Sequence, residues 1–329
     1  MKLRLPFLKS KSPEGEEKRI REATPPQRER VSPPRPSLFS PSILTFSIEG
    51  GTLRFTVSRG LQIEAWASVP FNTRFLRGGL VADAFGIGQV IRNTLSLRKF
   101  PTKRVVCALP GHQSSTRILT LPPAARSNLD TLITREARRQ LAISADSHYL
   151  RWQTLTSRGG PASGGRFYVV SVPKEPLRNL LTALSNAGLR PRTVDLKTLA
   201  LARAANRKDA VVVNSESNSL DLVVVVDDVP VLTRSLYLGE EPTMSEYSRL
   251  TEELARTLVF YNDSNRENPL DTSVPIYLTG DLTDVSEIAE TIYQSTGHPV
   301  PPLTPPVRQP PDFPTAKFMV NIGLLLKVL

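Results

Sequence analysis

Two segments of the chain place apolar, β-branched residues on both sides of a short polar turn. They are Ile43–Gly60, ILTFSIEGGTLRFTVSRG, and Ala210–Leu236, AVVVNSESNSLDLVVVVDDVPVLTRSL. Two such runs joined by small polar residues are typical of a β-hairpin. Because this unit occurs twice, far apart in the chain, we predict two related subdomains that face each other across a cleft.

The remaining apolar patterns predict alternating strands and helices. Strands are predicted over Gln62–Val69, Lys103–Leu109, Ser115–Leu121, Tyr149–Leu155, Arg166–Val172 and Ile276–Leu278. Helices are predicted over Phe85–Leu97, Leu129–Leu141, Lys174–Ala187, Thr193–Ala205, Asp284–Gly297 and Phe318–Leu329, with another after Thr243–Glu246. This alternation favours an α/β fold.

Four connecting segments have compositions that indicate their local structure. Ser127–Asp130 and Thr243–Glu246 have the spacing of capping boxes that open helices. The Gly-rich segment Gly159–Gly165 is predicted to be a flexible hairpin end, since it opens no helix that could bind phosphate. The proline-rich segment His298–Pro314 is predicted to be an extended loop.

Residues 1–41 are rich in Pro, Arg, Lys, Glu and Ser, and we predict that they form a disordered basic tail. The net charge of the whole chain is +11, so anionic membrane and nucleic acid are both possible partners of residues 1–40. The tail offers only Phe7 and Phe39 for base stacking, so no specific nucleic acid is expected. The rest of the excess charge is expected to be spread evenly.

The sequence lacks the residues of several common functional sites. The single cysteine, Cys107, lies in an apolar run and is expected to be buried in the core. The three histidines are far apart without metal-ligand spacing, and no catalytic set or metal site is expected. No apolar run reaches the ~20 residues of a membrane span, and no signal peptide is evident, so we expect a cytoplasmic protein.

An ordered series of segments resembles the PilM family of type IV pilus assembly proteins. These segments are RVVCALPGHQSSTRILTLPP, FYVVSVPKEPLRNLLTALSNAGLRPRTVDLKTLALARA, IYLTGDL and FMVNIGLLLK. The resemblance runs from about Ile43 to the end and implies an actin-like (RNase H-like) two-domain fold with a cleft. Residues 42–205 would form the first half, with a small subdomain inserted at about 112–190, and residues 206–329 would form the second half.

The residues that differ from the family pattern lie at its nucleotide site. Each family turn carries an Asp and then a Gly, whereas this chain has Ser47 and Glu49 in the first turn and Asn214 and Glu216 in the second. Asn lacks the charge that a carboxylate offers to Mg²⁺. Glu adds negative charge and a Cβ where backbone amides should approach phosphate. We therefore expect a degenerate nucleotide site, pseudo-ATPase character and no bound ATP or Mg²⁺.

Five small residues could still donate hydrogen bonds to a nucleotide at this site, or could be ordinary turn residues. The first turn offers Gly50, Gly51 and Thr52, and the second offers Ser217. Gly280 is the remaining glycine of the loop that would bind adenosine, and Asp281 follows it.

The resemblance also implies a function and a partner. We expect a non-enzymatic assembly protein at the inner face of the cell membrane, in a type IV pilus or related secretion machine. It would bind the N-terminal cytoplasmic tail of a PilN-type inner-membrane protein. One alternative is a slow ATP-binding or ATP-hydrolysing switch of the same machine, and another is a binder of nucleic acid or anionic membrane through the basic tail.

Overall fold

The structure is a computed structural model that describes residues 41–101, 104–122, 128–144, 146–155, 165–239, 246–281 and 286–329. Three predictions fall partly outside the described residues. These are the tail, except for its last residue, most of the Gly159–Gly165 loop, and the capping boxes at Ser127 and Thr243. No helix among the described residues is both long and apolar enough to cross a membrane.

The described residues form strands and helices in the alternating order that the sequence predicts. The strands are β1 (Ser42–Glu49), β2 (Thr52–Arg59), β3 (Gln62–Pro70), β4 (Leu76–Arg77), β5 (Leu80–Val81), β6 (Val105–Leu109), β7 (Ser115–Leu121), β8 (His148–Leu155), β9 (Gly165–Pro173), β10 (Pro191–Leu196), β11 (Ala210–Glu216), β12 (Ser219–Val226), β13 (Val229–Tyr237) and β14 (Ile276–Gly280). The helices are α1 (Ala84–Arg98), α2 (Leu129–Leu141), α3 (Lys174–Asn186), α4 (Lys197–Ala205), α5 (Glu246–Ser264), α6 (Ser286–Thr296) and α7 (Met319–Val328).

The first hairpin forms the centre of a five-stranded sheet in the order β10-β6-β1-β2-β3. β1 and β2 are antiparallel, and β6 and β10 continue the sheet in parallel. β1 is buried along both faces, with Phe46 packed on the side of α1 and α3 and Ile43 packed on the side of α4 and α7. β1 is therefore a central strand that is covered by helices on both faces, although Thr45, Ser47 and Glu49 are buried beside its apolar residues.

The second hairpin forms the centre of a four-stranded sheet in the order β13-β12-β11-β14. One face packs against α5 and α6, and the other packs against α4. Alternate residues of β11 face opposite sides of the sheet. Val211 packs in the core with α5 and α6, and Val212 packs in the core with α4. Both predicted hairpins are confirmed, and α4 and α7 share one core between the two sheets.

A three-stranded sheet in the order β7-β9-β8 carries α2 on one face. Ile133 of α2 and Phe167 of β9 are fully buried in this small core. The Trp152 indole nitrogen donates a hydrogen bond of 2.8 Å to Asp130 and joins β8 to α2. These elements fall inside the predicted insertion at about 112–190, whose boundaries remain a prediction.

One helix prediction is wrong in its first part. Thr193–Leu196 belongs to β10, which pairs in parallel with β6, and α4 begins only at Lys197. The sequence TVDLKTLALARA runs from strand to helix without a Gly or Pro, so the local pattern hides the boundary. Tertiary pairing with the buried strand β6 decides the conformation here.

The other helices and strands that the sequence predicts within the described residues agree with the structure to within a few residues at their ends. The thiol of Cys107 is buried, and burial raises its pKa well above the ordinary value. The segment from His298 to Pro314 contains neither a helix nor a strand. A short 3₁₀ turn, Thr315–Phe318, precedes the final helix, which therefore starts one residue later than predicted.

We predict that Gly323→Ala destabilises the protein by about 2–3 kcal/mol through overpacking. A methyl group at Gly323 in α7 would collide with the backbone carbonyl of Ala200 in α4. Gly165→Ala is the matched control, because the nearest described atom would be 3.6 Å away in Phe167. Urea unfolding of both variants measures the difference, and equal stabilities would contradict the close contact between α4 and α7.

Candidate functional site

The turns of the two hairpins pack directly against each other. Gly50 has a positive φ of 57°, and a Cβ at this position would lie 2.6 Å from Ser217 Oγ and 3.7 Å from Glu216 Cβ. Gly280 has a φ of 92°, and its Cβ would lie 3.0 Å from Glu216 Oε1. The structure therefore brings Gly50, Ser217 and Gly280 together around Glu216.

The other two candidate residues belong to the β1–β2 hairpin itself. The Gly51 carbonyl accepts a hydrogen bond of 3.0 Å from the Phe71 amide. Thr52 is paired with Glu49 in one ladder and with Pro70 in the next. Both residues thus have structural contacts within the first sheet, while their binding to a nucleotide remains a prediction.

Arg54 of β2 occupies the space between the hairpins. Its guanidinium donates two hydrogen bonds to the Glu216 carboxylate, at 2.6 Å and 2.8 Å. It also donates to Asp281 at 2.9 Å and to the Lys317 carbonyl at 2.7 Å. Burial lowers the pKa of Arg54, but the charges of Glu216 and of Glu49 outweigh burial and raise it overall. Arg54 of the first sheet is therefore a permanent cation, and the partners of its guanidinium come from the later segments around Glu216, Asp281 and Lys317.

Lys197, the first residue of α4, forms a second buried bridge. Its ammonium lies 2.6 Å from Glu49 in β1 and 2.9 Å from Asp221 in β12. Burial lowers the pKa of Lys197, yet Asp221 and Glu49 raise it well above the ordinary value. Lys197 therefore stays charged and joins the two sheets through paired carboxylates.

The buried ion cluster is the name we give to Glu49, Arg54, Lys197, Glu216 and Asp221. Its three carboxylates share two cations, and all five side chains are almost fully buried. Burial and the neighbouring Glu49 raise the pKa of Glu216, whereas Arg54 and Lys197 act in the opposite direction. Glu49 and Glu216, the carboxylates of the two turns, are therefore paired with Lys197 and Arg54 of the same chain.

Ser47 and Asn214, which stand where the family has aspartates, also form hydrogen bonds within the protein. Ser47 donates a hydrogen bond of 3.0 Å to Asn321 of α7, and Asn321 donates one of 3.1 Å to the Arg54 carbonyl. Asn214 accepts a hydrogen bond of 2.8 Å from Thr279. Among the described residues, no group of three or more His, Cys, Asp or Glu side chains is arranged to hold a metal ion.

Sequence reasoning missed Lys197 and Asp221. Each is a single charge in an otherwise apolar run, in KTLALA and LDLVVVV respectively. An isolated charge in a buried element needs a partner of opposite sign, because burial of an unpaired charge is costly. That pattern could have identified both residues as half of an ion pair, although it could not have identified their partners.

A cavity of about 500 Å³ lies away from the cluster, between the small sheet, α3 and β10. Its apolar lining includes Leu109, Val170, Val172, Leu177 and Leu199. The carboxylate of Asp195 lies in its wall and is bound by Lys327 at 2.6 Å and by Arg203 at 3.0 Å. We call this cavity the β10 groove.

We predict that Lys197→Met destabilises the protein by about 3–5 kcal/mol, since it leaves Glu49 and Asp221 as unpaired buried charges. Lys208→Met is the matched control because the ion pair of Lys208 with Asp227 is exposed, with 68% and 72% of the side chains accessible. Thermal and urea unfolding measure both variants. A wild-type stability for Lys197→Met would show that the buried bridge is not formed.

Solved structures with the same fold include proteins of secretion and pilus machines. A PilM–PilN type IV pilus biogenesis complex matches with a TM-score of 0.71 and 24% identity, over 86% of this chain and 97% of that chain. The cytoplasmic domain of EpsL, from the type II secretion system of Vibrio cholerae, matches with a TM-score of 0.52 and 12% identity, over 86% and 95%.

A third structure, the ethanolamine utilization protein EutJ from Carboxydothermus hydrogenoformans, matches with a TM-score of 0.50 and 14% identity, over 92% of this chain and 93% of that chain. These likenesses confirm the predicted α/β, actin-like fold.

No curated protein matches the chain in sequence. The family model for the type IV pilus assembly protein PilM matches residues 52–238, which is more than half of the 329 residues. The chain therefore belongs to the PilM family of type IV pilus assembly proteins.

Proposed function

We propose that this protein is a non-enzymatic assembly protein of a type IV pilus or related secretion machine. It acts at the cytoplasmic face of the inner membrane and holds the extended N-terminal tail of a PilN-type membrane protein. The observation that carries the proposal is the β10 groove, which combines an apolar floor with two strand edges.

The strand edges suit an extended peptide. β10 is the end strand of the five-stranded sheet, and β8 is the end strand of the three-stranded sheet, within the described residues. Residues of both strands line the groove, among them Tyr149 and Arg151 of β8 and Val194 of β10. An edge strand presents unpaired backbone groups, and an extended peptide can pair with them by β-augmentation.

The floor of the groove suits apolar side chains of such a peptide. Val170 and Leu199 are buried, whereas Val172 and Leu177 are half-buried, so the floor presents an apolar surface to solvent. The volume of the groove, about 500 Å³, falls within the range of ~300–1,000 Å³ that is usual for ligand pockets. Backbone pairing would supply affinity, and the apolar floor would select the side chains.

The buried ion cluster supports the absence of enzymatic activity. A magnesium ion at this site would have to displace Lys197 from Glu49 and Asp221. A triphosphate would have to separate Gly50 from Ser217 and compete with Glu216 for Arg54. The residues present therefore do not fit MgATP, and the alternative of an ATP-dependent switch is not supported. The alternative of a basic-tail binder falls on residues 1–40, outside the described residues.

We predict that a synthetic peptide with the N-terminal sequence of the PilN-type partner binds the full chain with micromolar or tighter affinity. Leu181→Glu should weaken binding about tenfold or more, because Leu181 of α3 lines the groove and is 38% exposed. Fluorescence anisotropy of the labelled peptide measures the affinity.

The matched control is Leu97→Glu on α1, where the leucine is 83% exposed and does not line the groove. This variant should bind the peptide as the wild type does. Absence of saturable peptide binding to the wild type, or equal losses in both variants, would refute the assignment of the groove.

A further inference from the structure

The charge of the chain is strongly divided along its length. Residues 41–190 contain 20 Lys/Arg and 7 Asp/Glu, an excess of +13, whereas residues 191–329 contain 12 and 19, an excess of −7. The expectation of an even spread outside the tail is therefore wrong. A division of this kind between two halves indicates a polyanionic surface as partner of the basic half.

Besides Lys327, four cations line the β10 groove. Arg151, Lys174 and Arg178 belong to this basic half, and Arg192 lies two residues beyond its end. Arg151, Arg178 and Arg192 are exposed and form no salt bridge with a described residue. The carboxylate in the groove wall, Asp195, is already bound by Lys327 and Arg203. The mouth of the groove is thus positively charged.

Two exposed apolar side chains accompany these cations. Tyr149 is 44% exposed and stands two residues before Arg151, on the same face of β8. Leu181 of α3 also lines the groove. Arginines beside an exposed tyrosine and leucine form the combination that binds at the interface of an anionic bilayer. A purely acidic peptide would use the cations but would gain little from the exposed apolar groups.

We propose that Arg151, Arg178 and Arg192, with Tyr149, form a site for the anionic headgroups of a phospholipid bilayer. The inference rests on the proposed function, because a tail that leaves the groove toward its membrane-embedded part brings the groove mouth to the bilayer. Guanidinium groups bind phosphate oxygens in bidentate geometry. The net negative charge of residues 191–329 opposes contact between the rest of that segment and an anionic surface.

The test is cosedimentation of the full chain with vesicles of phosphatidylcholine, with and without phosphatidylglycerol. The wild type should bind only the anionic vesicles, and added salt should weaken binding. The triple variant R151E/R178E/R192E should reduce the partition coefficient about 100-fold or more, since each basic residue near an anionic surface contributes about fivefold and reversal adds repulsion.

The matched control is R74E/R77E/R104E, which changes the net charge equally at exposed arginines that do not line the groove. It should keep most of the vesicle binding, and circular dichroism checks that both variants are folded. Equal losses in the two triple variants, full binding by the groove variant, or no binding by the wild type would each overturn the proposal. Peptide anisotropy without vesicles is measured in parallel, so a failed lipid site and a failed peptide groove give different results.

Discussion

The buried ion cluster is the interaction on which the arrangement of the two sheets depends. Arg54 of the first hairpin binds Glu216 of the second, and Lys197 binds one carboxylate from each sheet. A buried ion pair adds little net stability, but removal of one partner is strongly unfavourable. We infer that the cluster acts mainly on specificity, since a packing that keeps these groups buried but breaks the pairs leaves charges without partners.

Helix α4 connects this cluster to the β10 groove. Its first residue, Lys197, lies in the cluster, and Leu199 lines the groove. Arg203, further along the same helix, binds Asp195 in the groove wall and the Gly323 carbonyl of α7. The contacts that close the cleft thus also hold β10 and the end of α7 in place. A groove that is held in this way would need little rearrangement to accept the extended peptide that we propose as its ligand, which would lower the ordering cost of binding.

Local patterns in the sequence predict most of the helices and strands, but they predict fewer of the residues that form the site. The two hairpins and the amphipathic helices follow from periodicity within single segments. The start of α4 could not be predicted, because strand pairing with β6 is a long-range interaction. Glu49 and Glu216 were recognised as unusual, yet their partners come from distant segments. The groove could not be predicted either, since two strand edges become neighbours only in the folded chain.

We infer that the buried ion cluster fills the space between the two hairpins, so that the protein binds a polypeptide and not a nucleotide. Isothermal titration calorimetry of the full chain with ATP, in the presence and absence of Mg²⁺, measures nucleotide binding. We expect no saturable heat under either condition and no rise in melting temperature. Saturable binding that requires Mg²⁺ and is weakened by Gly280→Trp would contradict this inference.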